Sequence, residues 1–97
     1  MFSDTSRKAS AVCKVVNSMG LHARPACILV RKVSEFESAV FFQGGENPDP
    51  VEGSSLMGIL TLCAPKGTEI KITAEGKDAE EAVKAIVALF ESGFDED

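Results

Sequence analysis

The stretch "EIKITAEGKDAEEAVKAIVALFESG" (69–93) limits the possible folds more than any other, because its apolar period changes partway along. In "EIKITAE", Ile70, Ile72 and Ala74 alternate with polar neighbours, the mark of a strand wetted on one face. After "GKD", Ala79, Ala82, Val83, Ile86 and Phe90 recur at helical spacing. Asp78 is positioned as the N-cap, Glu81 stands where a capping box wants an acid, and Gly93 can end the helix. A half-solvated strand followed by a helix with one buried stripe implies a sheet covered on a single side.

The remaining segments fit that plan. "SAVCKVV" (10–16) reads as a strand with Ala11, Cys13 and Val15 on one face, and "NSMG" as a turn. From Ala23 to about Phe36 the stripe of Ala26, Leu29, Val30 and Val33 predicts an amphipathic helix, with Pro25 in its first turn, where a missing N–H costs nothing. "SAVFFQ" (38–43) reads as a second strand. "GGENPDPVEG" (44–53), with three glycines and two prolines, reads as a hairpin loop with a weak strand around Val51. "SSLMGILTL" (54–62) suits a short helix capped by Ser54 or Ser55. That helix is apolar almost all round, so it is either buried or offers an apolar face to something else.

The expected order is βαββαβα, an α+β open sandwich with an antiparallel sheet and helices on one side. One domain is expected over residues 1–97, with frayed tails at 1–9 and 93–97, the latter ending in the acidic "FDED". The chain carries 15 acidic against 10 basic residues, a net charge of −5, which argues against a nucleic-acid partner. No apolar run is long enough to span a membrane, and the N-terminus "MFSDTSRK" does not read as a secretory signal. Cys13, Cys27 and Cys63 are odd in number and unpaired in spacing, as expected for reduced thiols in a cytoplasmic protein. One histidine and three scattered cysteines lack the spacing of a zinc site, so no metal is expected.

"NSMGLHARPAC" (17–27) holds the chain's one histidine. Placed at the entry to a helix, His22 lies beside the N–H groups of Ala23 and Arg24, which have no acceptors within the helix, and beside the positive end of the helix dipole. Arg24 adds a guanidinium whose donors match phosphate oxygens. The combination is an anion site containing a nucleophilic nitrogen, suited to forming a phosphohistidine. Arg24, Ile28, Arg31 and Glu35 share the face opposite the buried stripe, and Leu56, Met57 and Leu60 can extend it into a docking surface. The same residues also admit a thiol enzyme with Cys27 or Cys63 as nucleophile and His22 as its base. Buried, inert thiols are the expectation for Cys13 and Cys63.

At "GLHARPA" (20–26), "SSLMGILTL" (54–62), "KGTEIKITAEG" (66–76) and "DAEEAVKAI" (78–86) the chain resembles the HPr family, the histidine-containing phosphocarriers of the bacterial phosphotransferase system. The resemblance covers about residues 10–92. It implies an open-faced β-sandwich of four antiparallel strands with three helices on one face. It also implies a monomeric carrier without cofactor, rather than an enzyme in its own right. His22 would accept a phosphoryl group on Nδ1 from phosphorylated enzyme I and pass it to EIIA-type domains, with Arg24 stabilising the phosphate and Ala23 and Pro25 forming the helix start. Ser55 matches the serine that many members expose to a dedicated kinase, HPr kinase/phosphorylase. The branch served is expected to be sugar uptake, with a regulatory, nitrogen-related branch as the alternative.

Overall fold

The structure, a computed structural model, describes residues 7–95. Strand β1 spans Lys8–Lys14, helix α1 Ala23–Val33, β2 Ala39–Gly44, β3 Asn47–Glu52, helix α2 Leu56–Leu60, β4 Glu69–Glu75 and helix α3 Ala79–Glu91. The strands form one antiparallel sheet in the order β1-β4-β2-β3. Its covered face is set by alternation. Ile70, Ile72 and Ala74 of β4 and Val40 and Phe42 of β2 are buried, while Glu69, Lys71 and Glu75 stay exposed. The architecture is the α+β open-faced sandwich expected from the sequence, with three helices over a four-stranded sheet.

The core closes around three aromatic rings. Phe90 of α3 lies 6.3 Å from Phe42, centroid to centroid, and 5.1 Å edge-on from Phe94. All three are buried, and α1 adds Ala26, Leu29 and Val33. Burying rings of this size supplies roughly 1.5–3 kcal/mol each.

Four differences from the sequence reading have physical causes. Fraying was expected through residue 9, yet Lys8 and Ala9 pair with Glu75 and Ala74, so β1 runs two residues earlier at each end than 10–16. Its length is matched to that of β4. The C-terminal expectation of fraying also gives way over residues 93–95, because Gly93–Asp95 form a 3-10 turn that buries Phe94; residues 1–6, 96 and 97 of the expected tails lie outside the described residues. Phe94 adopts a left-handed φ of 58°, a conformation costing about 1–2 kcal/mol that burial of the ring offsets.

The third difference is that residues 47–52 are a full strand rather than a loop with a weak strand near Val51. Pro48 and Pro50 are tolerated because β3 is an edge strand, paired only with β2, where a missing N–H can face water. The Gln43 side chain adds a 2.9 Å bond to the Pro48 carbonyl. Finally, α1 ends at Val33 rather than near Phe36, with Ser34 as its C-cap.

Asp78 does more than begin α3. It is the N-cap, but its carboxylate makes no cap bond. Instead it accepts the N–H of Glu37 at 3.0 Å, the N–H of Ser38 at 2.9 Å and the Ser38 hydroxyl at 2.5 Å. One side chain thereby ties the start of α3 to the start of β2. The Ser38 hydroxyl first, then the Glu37 amide, hold the Asp78 carboxyl below the usual carboxylate range.

A depressed folded-state pKa contributes stability that is present above the unfolded value near 4 and is lost as pH falls through the folded value. Asp78→Ala should therefore lower the denaturant midpoint at pH 7. The gap between variant and parent should narrow below about pH 4. Chemical denaturation at pH 7 and pH 3 measures both.

Candidate functional site

The loop before α1 is built to present one residue. Within it Asn17 Nδ2 donates to the Gly20 carbonyl at 2.8 Å, and the His22 N–H turns back onto the same carbonyl at 3.0 Å. Gly20 has φ +71°, and a Cβ there would stand 2.5 Å from the Ala64 carbonyl oxygen, so only glycine fits. Leu21 is buried and donates its N–H to that Ala64 oxygen at 2.9 Å.

His22 follows as the N-cap of α1, with extended backbone (φ −84°, ψ −168°), and its carbonyl accepts the Ala26 N–H at 3.1 Å. Its ring makes no cap bond to the helix amides. The N–H groups of Ala23 and Arg24 have no acceptor within the helix, and buried Pro25 has no N–H to offer. The Arg24 side chain is exposed. The half-buried His22 ring lies in a depression shared with Met19, Leu21, Glu46, Cys63, Ala64 and Pro65. Backbone donors and the positive end of the helix dipole thus lie beside His22, and Arg24 is exposed two residues on in the first turn, an arrangement whose chemistry suits an anion.

The expected docking residues fall into two sets. Arg24 and Arg31 are exposed on α1, and Leu56 (37% exposed) and Met57 (70%) on α2. Ile28 and Leu60 are half-buried and pack against the core, so they brace the surface more than they form it. Helix α2 resolves its two sequence alternatives by doing both, burying Ile59 and presenting Leu56 and Met57. Glu35 is drawn into an ion pair with Lys32 at 3.2 Å.

A groove lined by Cys27, Val30, Arg31, Ser34 and Leu56 joins the two helices. Val30, expected in the buried stripe of α1, and Cys27, considered as a nucleophile, both line this groove instead. Met19, 70% exposed beside His22, was missed. A large apolar residue inside a turn, "NSMG", was the available signal.

Ser55, not Ser54, caps α2. Its Oγ accepts the Gly58 N–H at 3.0 Å. The thiols divide differently from expectation. Cys13 is buried, and burial, aided by the charge of Glu91, pushes its pKa up. Cys63 is exposed instead of buried, because its φ of +48° turns the chain so that Leu62 and Ala64 take the core positions on either side. Cys27 is exposed too. Among the described residues no group of three or more His, Cys, Asp and Glu side chains is arranged to hold a metal ion. None of the described helices is long and apolar enough to cross a membrane.

Comparison with known proteins agrees with this geometry. The family model described as "PTS HPr component phosphorylation site" matches residues 9–92. Phosphocarrier protein NPr of Escherichia coli strain K12 is 39% identical over 84 residues, covering 87% of this chain and 92% of that protein. Phosphocarrier protein HPr of Treponema pallidum is 34% identical over 84 residues, covering 87% and 93%. A crystal structure of HPr from Thermoanaerobacter tengcongensis superposes with a TM-score of 0.84 at 39% identity, over 92% of this chain and 98% of that one. The chain belongs to the HPr family of phosphotransferase-system phosphocarriers.

Replacing the cap serine, Ser55→Ala, should cost about 1 kcal/mol of stability. Denaturant unfolding of the variant against the parent measures the loss.

Proposed function

We propose that His22 is the phosphoryl acceptor of a carrier working between two larger proteins. The Nδ1 lone pair attacks phosphorus on phosphorylated enzyme I, a P–N bond forms as the bond to the enzyme's own carrying group breaks, and the reverse step delivers the group to an EIIA-type domain. The N–H groups of Ala23 and Arg24 and the Arg24 guanidinium stabilise the charge on the phosphoryl oxygens. Pro25 fixes the helix start without competing for the anion. The protein acts as a carrier in the cytoplasm, not as an enzyme.

One observation carries this reading: the chain's histidine is the extended N-cap of α1, beside two amides that lack helix acceptors and an exposed arginine. His22→Ala should abolish acid-labile phosphate uptake from enzyme I and labelled phosphoenolpyruvate while leaving the circular dichroism spectrum intact. Uptake at the parental rate defeats the assignment. Arg24→Ala should slow transfer by about 10²–10³-fold, the loss typical of one oxyanion-stabilising donor.

The docking surface in this reading is Arg24, Arg31, Leu56 and Met57, supported from beneath by Ile28 and Leu60. Two exposed arginines suit an acidic rim on the partner, and methionine suits an apolar contact that must adapt to more than one protein. Ser55 borders this surface, and a kinase of the HPr kinase/phosphorylase type would place on it a phosphate of about −1.5 to −2 charge. Ser55→Asp should weaken enzyme I binding by about tenfold, or ~1.4 kcal/mol, with a smaller change in folding stability. Titration calorimetry and denaturation separate the two effects.

Sugar uptake is the branch we propose for this carrier. The 39% identity to a carrier named NPr supports a regulatory, nitrogen-related branch equally well. Phosphoryl transfer from the loaded carrier to sugar-type and nitrogen-type EIIA domains, run side by side, discriminates them by rate.

A further inference from the structure

Between α2 and β4 the chain turns a corner, and the residue at its centre is left-handed without being glycine. Cys63 has φ +48°. Its two neighbours are buried, and their carbonyls serve different loops. The Leu62 oxygen accepts the N–H of Glu46, in the β2–β3 turn, at 2.9 Å. The Ala64 oxygen accepts the N–H of Leu21, the residue before His22, also at 2.9 Å. Both loops approach too closely for a side chain, since a Cβ on Gly45 would lie 2.0 Å from the Leu62 oxygen and one on Gly20 2.5 Å from the Ala64 oxygen. His22, Glu46 and Cys63 consequently line one depression.

Two peptide planes meet at residue 63, and φ there sets the angle between them. The Leu62 carbonyl lies on the plane entering residue 63, and the Ala64 carbonyl one plane beyond the plane leaving it. A residue confined to negative φ would therefore swing the chain after 63 relative to Leu62 and misdirect at least one of the two acceptors. The acceptor serving Leu21 is the one that matters for chemistry, because it holds the segment that delivers the imidazole to the start of α1.

We propose that Cys63 is a positioning residue for phosphoryl transfer at His22, acting through its left-handed backbone rather than its thiol. The 62–64 corner is a two-armed brace that fixes the His22 loop and the β2–β3 turn relative to each other. This inference rests on His22 being the phosphoryl acceptor, and its test is chosen to fail separately from that reading.

Three variants are compared: Cys63→Val, whose β-branched side chain strongly resists positive φ; Cys63→Ala, which keeps the parent's backbone preference without the thiol; and Cys63→Gly, which adopts positive φ freely. Hydrogen exchange at the Leu21 and Glu46 amides and the imidazole ¹⁵N resonances of His22 read the unphosphorylated protein. In Cys63→Val both amides should lose protection together and the His22 resonances should move. Transfer at saturating enzyme I should drop by about tenfold or more, with KM within about twofold, as misplacement of a reacting group predicts. Cys63→Ala should behave as the parent, and Cys63→Gly should recover most of what valine loses, falling short of the parent equally at both amides through its greater backbone freedom.

Unmoved Leu21 and Glu46 amides in a folded Cys63→Val protein would overturn the proposal. A loss in Cys63→Ala equal to that in Cys63→Val would assign the role to the thiol and also overturn it. If the valine variant does not fold, Cys63→Gly decides. Its added freedom should speed exchange at Leu21 and Glu46 by a common factor while Phe42 holds, and independent behaviour of the two amides refutes the brace. A parent protein that takes no phosphate on His22 would sink the carrier reading while leaving the exchange and ¹⁵N results interpretable.

Discussion

The contact of Phe90 with Phe42 on one side and Phe94 on the other is what makes a single-layered sheet viable here. A sheet with one wet face has only one face from which to gain apolar burial, so each helix laid on it must contribute fully. Helix α3 does so with a stripe of five buried residues, Ala79, Ala82, Val83, Ile86 and Phe90. The chain then folds back through the 3-10 turn to add the last ring. Asp78 sets where that helix begins by holding the residues that enter β2.

With that half of the layer in place, α1 needs only a narrow apolar seam of Ala26, Leu29 and Val33 against the core. Its outer face and its first turn are left for other uses. The histidine caps the first turn, where a helix has donors to spare, with Arg24 exposed in that turn and Met19 exposed in the loop before it. On the proposed reading, the chemical capacity of the site comes from a helix terminus whose first amides have no helix acceptors, not from a deep cleft. Such a site suits a reaction whose second participant is another protein that closes over it.

Much of this was legible from residue order, and what was not has a common cause. The periods of α1, α3 and β4 are local properties, as are the glycine and proline that mark the start of α1, so His22, Arg24 and Ser55 stand out from the string of residues alone. β3 did not stand out, because "NPDPVE" has almost no strand signal of its own and becomes a strand by pairing with Phe41 and Phe42. Phe94 looked like part of an acidic tail, since nothing in "FDED" announces the ring of Phe90 waiting for it. Cys63 was expected to be buried by its apolar neighbours, and its exposure follows from a backbone angle imposed by bonds to residues 17 and 42 positions away in sequence, Glu46 and Leu21.

The two outer strands of the sheet bear on how such a protein behaves when crowded. An open sheet margin is a template on which a stray chain can lengthen the sheet. Here one margin carries Pro48, Asp49 and Pro50, which interrupt any continuous row of donors, and the other begins and ends with lysine, at Lys8 and Lys14. For a phosphocarrier, adhesion of that kind would be slow to undo, and the helical side, where contacts are made by side chains, is the more reversible surface.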